Sequence, residues 1–332
     1  MEQKISCANF KKPTLLLLRL ILGGYFQLKY LMSSLSEKVV LITGASSGIG
    51  AALAQILAQR FMGIRLVLAA RSAEKLETVA TLCRKAGAEV LAVPTDLQKI
   101  EQVEALATEA IAHFGRVDAL VNNAGYGQMG PVELIPHQAA KRQFEVNVLG
   151  PLALIRALVP MMRDAGGGRI INISSLGGRL AFPFGGLYSS SKFALEGLSD
   201  ALRMELDPFN IKVSVVEPGP VSTDFFVVAA QAVEDSVSTP ENTPYRAAFE
   251  KLKELERQTS SRSWSSDRVA EVIVQALLHR HPRPRYIAAT GGKFLFLMTK
   301  VLPTRVVDAF WQRFYGIDLV AQDWQSRNQA KL

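Results

Sequence analysis

Residues 38–50 of the chain read KVVLITGASSGIG, an apolar run that leads into a turn containing three glycines. The run is rich in β-branched side chains and predicts a buried parallel strand. A helical pattern follows from Ile49 to about Phe61. A glycine-rich turn between a strand and a helix lets the backbone approach a phosphate, and the helix N-terminus offers free N–H groups. This stretch therefore predicts a site for a phosphate-bearing ligand.

The rest of the chain repeats short apolar runs separated by helical patterns. The strand candidates are residues 38–43, 65–70, 89–93, 118–122, 169–174, 212–217 and 285–289. This alternation predicts an α/β fold, a doubly wound, Rossmann-like parallel sheet of about seven strands with helices on both faces. Ligands of such sheets bind at the carboxyl ends of the strands, which is where the glycine turn falls.

A second motif pairs Tyr188 with Lys192, four residues apart, with Ser175 thirteen residues before the tyrosine. Residues at positions i and i+4 lie on the same face of a helix. A lysine ammonium beside a phenol favours the phenolate, so we expect Lys192 to lower the pKa of Tyr188 toward neutrality. A tyrosine tuned in this way exchanges a proton with a substrate oxygen near pH 7.

Together these motifs resemble the short-chain dehydrogenase/reductase family, and the resemblance covers roughly residues 37–286. Within that family the chain is most similar to NADP(H)-dependent members of the hydroxysteroid and retinol dehydrogenase type. The motifs that carry the resemblance follow one another in the order TGxxxGxG at 43–50, NNAG at 122–125, Asn147, Ser175, Tyr188-x-x-x-Lys192 and Pro218-Gly219.

The resemblance implies hydride transfer between a nicotinamide cofactor and a carbonyl or alcohol, with catalysis by four residues. Tyr188 is then the general acid or base, and Lys192 lowers its pKa and binds the nicotinamide ribose. Ser175 donates a hydrogen bond to the substrate oxygen. Asn147 holds a water that relays protons toward the lysine. Ser174 is the other candidate serine, but strand alternation directs it to the opposite face.

The resemblance also implies a set of cofactor-binding residues. Asp96 is expected at the adenine amino group, with a helix N-cap as the alternative role. Asn123 is expected along the cofactor, and the segment from Pro218 to Thr223 over the nicotinamide. The full set is Gly44, Ser46, Ser47, Gly48, Ile49, Gly50, Arg71, Ser72, Asp96, Leu97, Asn123, Ala124, Gly125, Tyr188, Lys192, Pro218, Gly219 and Thr223.

The end of the second predicted strand favours NADP(H) over NAD(H). NAD-binding folds carry an acidic residue there, which binds the ribose hydroxyls. In this chain the position is Ala70, and Arg71 and Ser72 follow. A guanidinium pairs bidentately with a phosphate, and a serine adds a hydroxyl. One departure from related NADP-binding sequences is Ser47, which stands where some of them have a basic residue.

Composition restricts the classes of partner. Two cysteines form no disulfide framework and suit a reducing compartment, and the four histidines show no metal-ligand spacing. The formal net charge of +8 comes from scattered residues without a nucleic-acid motif. Attraction to anionic lipid or to a phosphate-rich cofactor is the favoured interpretation, so we expect no nucleic acid and no metal.

Both ends of the chain are interpreted as extensions of a catalytic domain at residues 36–290. Residues 1–35 are apolar and basic, and suit either a peripheral membrane anchor or an upstream start with Met32 as the natural beginning. Residues 291–332 carry an amphipathic pattern, whose apolar stripe is expected to be buried by the same chain, by a second subunit or by a membrane surface. By resemblance, the long irregular stretch 221–265 is a substrate lid.

The predicted mouth of the site carries apolar residues: Leu176, Leu180, Phe182, Phe184, Leu187, Phe225 and Phe226. They indicate a hydrophobic alcohol or ketone of the steroid, retinoid or long-chain lipid type. Two alternatives remain, a 3-oxoacyl-thioester reductase of fatty-acid type and a non-catalytic NADP(H)-binding regulator on the same fold. By resemblance we expect a homodimer or homotetramer, located in the cytoplasm or peripherally on the cytoplasmic face of a membrane.

Overall fold

The computed structural model describes residues 35–236, 242–259 and 263–329. Within them a parallel sheet of seven strands has the order β3-β2-β1-β4-β5-β6-β7. The strands are β1 Val39–Thr43, β2 Arg65–Ala70, β3 Glu89–Pro94, β4 Ala119–Asn122, β5 Gly168–Ile173, β6 Ile211–Pro218 and β7 Arg285–Ala288. The seven predicted strands and the doubly wound α/β class are confirmed, because no end of any strand differs from its predicted position by more than one residue.

Helices connect the strands and extend beyond the last one. In the described residues they are α1 Gly48–Arg60, α2 Ala73–Lys85, α3 Ile100–Phe114, α4 His137–Phe144, α5 Gly150–Asp164, α6 Gly186–Leu206, α7 Phe225–Ser236, α8 Arg246–Thr259, α9 Ser266–Leu278, α10 Gly292–Val301, α11 Thr304–Phe314 and α12 Val320–Gln329. Two apolar layers hold the helices on the sheet. Alternate residues of β1 enter opposite layers, Val40 on the side of α1, α2 and α9 and Val39 on the side of α3 and α5.

Strand order positions the site. The chain leaves β3 at one edge and returns on the far side of β1 as β4, so the direction of winding reverses between β1 and β4. At such a switch point the loops that follow the two strands separate and leave a crevice at the carboxyl ends. The glycine turn follows β1, and the sequence NNAG follows β4.

Helices α4 and α5 are joined by a wider, π-helical turn over Glu145–Leu149. Such turns are rare and occur frequently at functional sites. The combined helix, His137–Asp164, is long and apolar enough to cross a membrane by length and composition, but 44% of its most apolar window is buried inside the protein. That burial identifies it as a core helix of this fold.

The segments outside the central repeat differ in part from expectation. Residues 221–265 were expected to be irregular apart from helical character near 245–257, yet helix α7 occupies Phe225–Ser236. Residues 1–34, the predicted anchor, lie outside the described residues. In α11, all of which is described, no residue is buried, so none of the described residues covers the outer part of the predicted apolar stripe.

Candidate active site

The glycine turn is built by close backbone contacts. Gly44 and Gly48 have φ angles of +67° and +54°, which favour glycine. A Cβ on Gly44 would lie 2.8 Å from Cα of Ala124, and one on Gly50 only 2.3 Å from the carbonyl oxygen of Gly44. These three glycines therefore fold the turn tightly against the end of β4.

The N-terminus of α1 opens from this turn. Ser47 is its N-cap residue and is exposed, and among the described side chains none caps the helix. The first N–H groups of a helix have no partner within the helix and attract anions. Ser46 is half-buried beside them, and Ile49 packs its side chain against the core. The N-terminus thus presents backbone donors as a phosphate site requires.

Asn123 fastens the turn to the sheet. Its side-chain Nδ2 donates to the carbonyl oxygens of Thr43 at 2.9 Å and Gly44 at 3.2 Å. The Thr43 hydroxyl in return accepts from the backbone N–H groups of Asn123 and Ala124, at 3.1 and 3.0 Å. This arrangement accounts for the predicted stiffening of the central sheet, because it joins the ends of β1 and β4.

Asn147 lies in the π-helical turn and is 1% exposed. Its Nδ2 donates to the carbonyl oxygen of Tyr126 at 3.0 Å and to the Ser191 hydroxyl at 3.1 Å. Its Oδ1 accepts from the N–H of Tyr126 at 3.2 Å. The wider turn thus directs a polar side chain toward the segment after β4, which explains an asparagine at a buried helical position.

Lys192 and Asn147 meet at Gly125. A Cβ added to Gly125 would lie 3.2 Å from Asn147 Oδ1 and 3.4 Å from Lys192 Nζ. The ammonium donates to the carbonyl oxygen of Ile173, at the end of β5, at 2.8 Å. A side chain at position 125 would crowd Asn147 Oδ1, whereas the glycine leaves both polar groups in place.

Ser175 and Tyr188 lie on the other side of the lysine. A Cβ on Gly177 would stand 3.4 Å from Cε1 of Tyr188 and 3.5 Å from Oγ of Ser175. Ser175 Oγ accepts from the N–H of Gly177 at 3.0 Å and lies 3.5 Å from the carbonyl oxygen of Pro218, to which it donates. Lys192 Nζ is 5.9 Å from the centroid of the Tyr188 ring. The structure therefore brings the four predicted catalytic residues together.

The pKa values of the tyrosine and lysine correct one expectation. Burial raises the pKa of Tyr188 to about 12, against which the hydrogen bond from Ser175 acts. The prediction that this pKa is lowered toward neutrality is wrong, because desolvation of the phenolate outweighs the favourable groups around it. Burial also lowers the pKa of Lys192 to about 8, and the carboxylate of Glu196 opposes that shift.

A buried charge cluster below Lys192 was missed from the sequence. Glu217 pairs with Arg179 at 3.2 Å, and Arg285 pairs with Glu196 at 3.0 Å and Glu217 at 3.4 Å. Burial raises the pKa of both Glu196 and Glu217. The signal was present in the sequence, because Tyr188, Lys192 and Glu196 follow one another at four-residue intervals on one helix face.

The proposed adenosine-side residues lie at the carboxyl end of β2 and β3. Arg71 is exposed, and the hydroxyl of Ser72 caps α2 by accepting from the N–H of Lys75 at 3.4 Å. Asp96 is half-buried and accepts from the N–H of Gln98 at 3.1 Å. It is not the N-cap of α3, which is Lys99, so the alternative role considered for it is wrong. Leu97 is buried in the core.

The segment after β6 returns to the glycine turn. The N–H of Gly219 donates to the carbonyl oxygen of Ala288 at 3.3 Å, which ties the segment to β7. A Cβ on Gly48 would meet Cγ2 of Thr223 at 3.1 Å. Pro218, Gly219 and Thr223 therefore bridge the space between Ser175 and the start of α1.

These features fit a dinucleotide rather than a metal. The close glycine contacts, the uncapped start of α1 and the exposed Arg71 provide a phosphate cradle and a cation at one edge of the sheet. Among the described residues there is no group of three or more His, Cys, Asp and Glu side chains placed to hold a metal ion.

An aromatic cluster forms the opposite wall. The ring of Phe184 contacts Tyr245 and Phe249, with centroids 5.9 and 5.5 Å apart, and lies 6.4 Å from Tyr315. Phe184 has a φ of +63°, a strained conformation for a phenylalanine that is held by these contacts. Of the other predicted mouth residues, Phe225 contacts the ring of Tyr188 at 5.5 Å, and the side chain of Phe226 lies outside the described part.

Comparison with known proteins places this geometry in context. Residues 38–233 match the family model for short chain dehydrogenase. The chain is 34% identical to human 17-beta-hydroxysteroid dehydrogenase type 1 over 270 residues, 80% of this chain and 80% of the human protein. It is 34% identical to retinol dehydrogenase 16 of Rattus norvegicus over 299 residues, 86% of this chain and 91% of the rat protein.

Solved structures with a similar fold differ in the nicotinamide cofactor that they contain. A metagenomic short-chain oxidoreductase in complex with NADP has 32% identity and a TM-score of 0.61, covering 77% of this chain and 98% of its own. A short chain dehydrogenase/reductase from Burkholderia phymatum in complex with NAD has 30% identity and a TM-score of 0.69, covering 80% and 93%. The shared fold therefore binds either nicotinamide dinucleotide.

Proposed function

The chain belongs to the short chain dehydrogenase family of oxidoreductases, and we propose that it is an NADP(H)-dependent enzyme that interconverts an apolar carbonyl compound and its alcohol. The observation that carries the proposal is the convergence of Asn147, Ser175, Tyr188 and Lys192 around Gly125 and Gly177. A binding protein without chemistry has no use for this constellation.

Tyr188 exchanges the proton in the proposed mechanism. The nicotinamide, when bound, supplies or accepts the hydride. In reduction the phenol donates to the substrate oxygen, and its raised pKa keeps it protonated at neutral pH. In oxidation the phenolate of Tyr188 is the base that accepts the proton of the alcohol, and the Ser175 hydroxyl and the Lys192 ammonium stabilise this phenolate. Ser175 donates to the oxygen on which charge develops.

Lys192 and Asn147 support this proton transfer by positioning the groups around Tyr188. Lys192 is held by the carbonyl oxygen of Ile173 and faces the segment after β4, where a ribose hydroxyl would meet it. Asn147 fixes that segment through both backbone groups of Tyr126. Together they would orient the ribose and connect the phenol to a proton path.

Arg71 is the residue on which the choice of NADP(H) rests. We expect Arg71→Ala to raise the Kd for NADPH about 10- to 100-fold, the loss of one charge-assisted phosphate contact, and to leave the Kd for NADH nearly unchanged. Fluorescence titration of the purified protein measures both. Arg280→Ala is the control, because Arg280 is exposed and precedes β7, at the opposite edge of the sheet. Equal weakening for both nucleotides by Arg71→Ala would contradict phosphate recognition.

The aromatic wall supports an apolar substrate of the steroid, retinoid or long-chain lipid type. Rings of Phe182, Phe184 and Phe225 surround the approach to Tyr188, and similar proteins carry the names of a hydroxysteroid and a retinol dehydrogenase. We expect NADPH oxidation with steroid ketones, retinal and long-chain ketones at a kcat/KM at least about tenfold above that of acetone-sized ketones. A preference for small polar carbonyls would rule out this substrate class.

We also propose peripheral contact with an anionic membrane surface through α10. Phe294, Leu297 and Val301 form one helix face and are 66%, 57% and 70% exposed, with Lys293 and Lys300 beside them. An apolar ridge flanked by lysines suits lipid headgroups and acyl chains. We expect Leu297→Ser with Val301→Ser to reduce cosedimentation of the full chain with phosphatidylserine vesicles several-fold, whereas Met62→Ser, at an exposed position away from this helix, serves as control. Unchanged binding would contradict this surface.

Two further proposals follow from the family. A homodimer or homotetramer would use α6 and the helix around Asn147, where Leu149, Phe193 and Met204 are exposed apolar residues. We propose that the protein is located in the cytoplasm and that it contacts the cytoplasmic face of a membrane. Sedimentation equilibrium of the purified chain measures the oligomeric state, and a monomer at all concentrations would exclude the homodimer and the homotetramer.

A further inference from the structure

The C-terminal segment, defined here as residues 315–329, reaches the active site through its first residue. The ring of Tyr315 stacks on Phe182, with centroids 5.8 Å and planes 12° apart. Phe182 in turn lies beside the catalytic tyrosine, since a Cβ on Gly177 would be 3.3 Å from the Phe182 ring and 3.4 Å from that of Tyr188. Only one ring therefore separates the C-terminal segment from the catalytic centre.

The same segment packs closely on helix α8. Gly316 has a φ of +70°, and a Cβ there would lie 3.0 Å from Cβ of Lys251 and 3.6 Å from Cα of Ala248. Two aromatic residues near the start of α8, Tyr245 and Phe249, contact Phe184 on the active-site side. Helix α8 is thus held between the aromatic wall and the C-terminal segment.

An ion-pair group fastens this arrangement at the other end of the segment. Asp323 Oδ1 pairs with Arg246 at 2.5 Å, and Oδ2 with Arg327 at 2.9 Å. Arg327 also donates to the carbonyl oxygen of Thr243 at 2.8 Å. The Asp323 side chain is only 13% exposed. The Asp323 carboxylate therefore connects the C-terminal segment to Arg246 in the first turn of α8, and Arg327 connects the segment directly to the backbone of Thr243 before that helix.

We propose that the C-terminal segment is part of the substrate site, and that Asp323 is a positioning residue that determines how tightly large apolar substrates bind. The inference rests on the proposed function, because it requires that substrates enter beside Phe182 and Phe184. Asp323 acts on the wall through Arg246, which begins α8 and directly follows Tyr245, a ring in contact with Phe184.

Substrate size distinguishes this role from general stabilisation. A large apolar molecule contacts the aromatic wall, so a wall that is ordered before binding lowers the free energy cost of the complex. A small ketone contacts only the catalytic residues and gains little from that order. Release of α8 should therefore raise the KM of large substrates relative to that of small ones.

Asp323→Asn, compared with Asp318→Asn, tests the proposal. Both changes remove one carboxylate from the C-terminal region, but Asp318 is exposed and makes no ion pair with any described residue. In the full-length protein without substrate, hydrogen exchange of the amides at 246–252 should accelerate about two- to fivefold in Asp323→Asn only. The ratio of KM for a steroid ketone to KM for a small ketone should rise about two- to fivefold as well.

Arg246→Gln provides the second variant, because it breaks the same pair from the side of α8 and leaves the Asp323–Arg327 pair in place. It should reproduce both changes. The proposal is overturned if Asp323→Asn behaves as Asp318→Asn, or if exchange accelerates while the KM ratio stays at its wild-type value. If the wild-type protein turns over no substrate, the proposed function fails, whereas the exchange comparison still decides whether the segment holds α8.

Discussion

Tyr188→Phe is expected to lower kcat at least about 1,000-fold while the Kd for NADPH changes less than about threefold. The variant keeps the ring that packs against Phe225 and removes only the hydroxyl that exchanges the proton. Because burial raises the pKa of Tyr188 to about 12, the phenol is uncharged at neutral pH. Removing its hydroxyl therefore leaves no ion pair broken and should not destabilise the fold. Stopped-flow NADPH oxidation with a steroid ketone measures the rate, and nucleotide fluorescence measures the binding.

The matched control is Tyr286→Phe. Its hydroxyl accepts from the N–H of Arg283 at 3.0 Å and contacts His279 at 2.9 Å, near the start of β7 and away from the carboxyl ends of the strands. Loss of these bonds should cost about 1 kcal/mol of stability and leave kcat unaltered. A Tyr188→Phe enzyme with wild-type kcat would assign the proton transfer to another group. Nucleotide binding by the wild-type chain without turnover of any carbonyl would support the regulator alternative.

The strands were predictable, and the proposed catalytic residues could be picked out, because each leaves a local pattern. Four successive apolar residues, Val39 to Ile42, before a glycine turn indicate a buried strand, and Tyr188 with Lys192 share a helix face by spacing alone. The spacing did not reveal how deeply the pair is buried. The pKa of Tyr188 depends on desolvation by segments far away in sequence, and for that reason its direction was predicted wrongly.

Contacts that join distant segments were not predictable from pattern. Arg285 lies 89 residues from Glu196, and its ion pair appears only when β7 is added beside β6. Arg246 and Asp323 are 77 residues apart and belong to two different helices, α8 and α12. In both cases the sequence shows charged residues that suit a solvated surface, and only the tertiary structure shows that they pair.

Burial of the Lys192 ammonium lowers the stability of the folded state at the proposed active site. A lysine whose pKa falls from 10.5 to about 8 destabilises the folded state by about 3 kcal/mol at neutral pH. Below pH 8 both states are protonated and this cost is fully present; between pH 8 and 10.5 the unfolded chain binds more protons, so stability rises with pH. A buried ammonium conflicts with the apolar core around it, and conflicts of this kind are expected at functional sites. The ammonium bonds to the carbonyl oxygen of Ile173 and lies beside Gly125, in the proposed site.

Gly50→Ala is expected to weaken nucleotide binding about 100-fold through a single methyl group. Its Cβ would stand 2.3 Å from the carbonyl oxygen of Gly44 and 2.6 Å from Nδ2 of Asn123, two groups that bond to each other. The carbonyl oxygen of Gly44 is a backbone atom, so the turn must move. Overpacking of this kind costs about 1–3 kcal/mol or more, and a displaced turn should weaken NADPH binding about 100-fold.

Gly197→Ala is the control, because it makes the same substitution at a position where an added methyl group meets no close neighbour. Gly197 lies within α6, and no described atom outside its own helix backbone lies within 4 Å of a Cβ added there. Alanine should stabilise that helix by about 0.5–1 kcal/mol. The thermal unfolding temperatures of the two variants should therefore shift in opposite directions, whereas the affinity for NADPH should fall in Gly50→Ala only. A Gly50→Ala protein that binds NADPH as tightly as Gly197→Ala would show that the phosphate site does not depend on the approach of α1 to the turn.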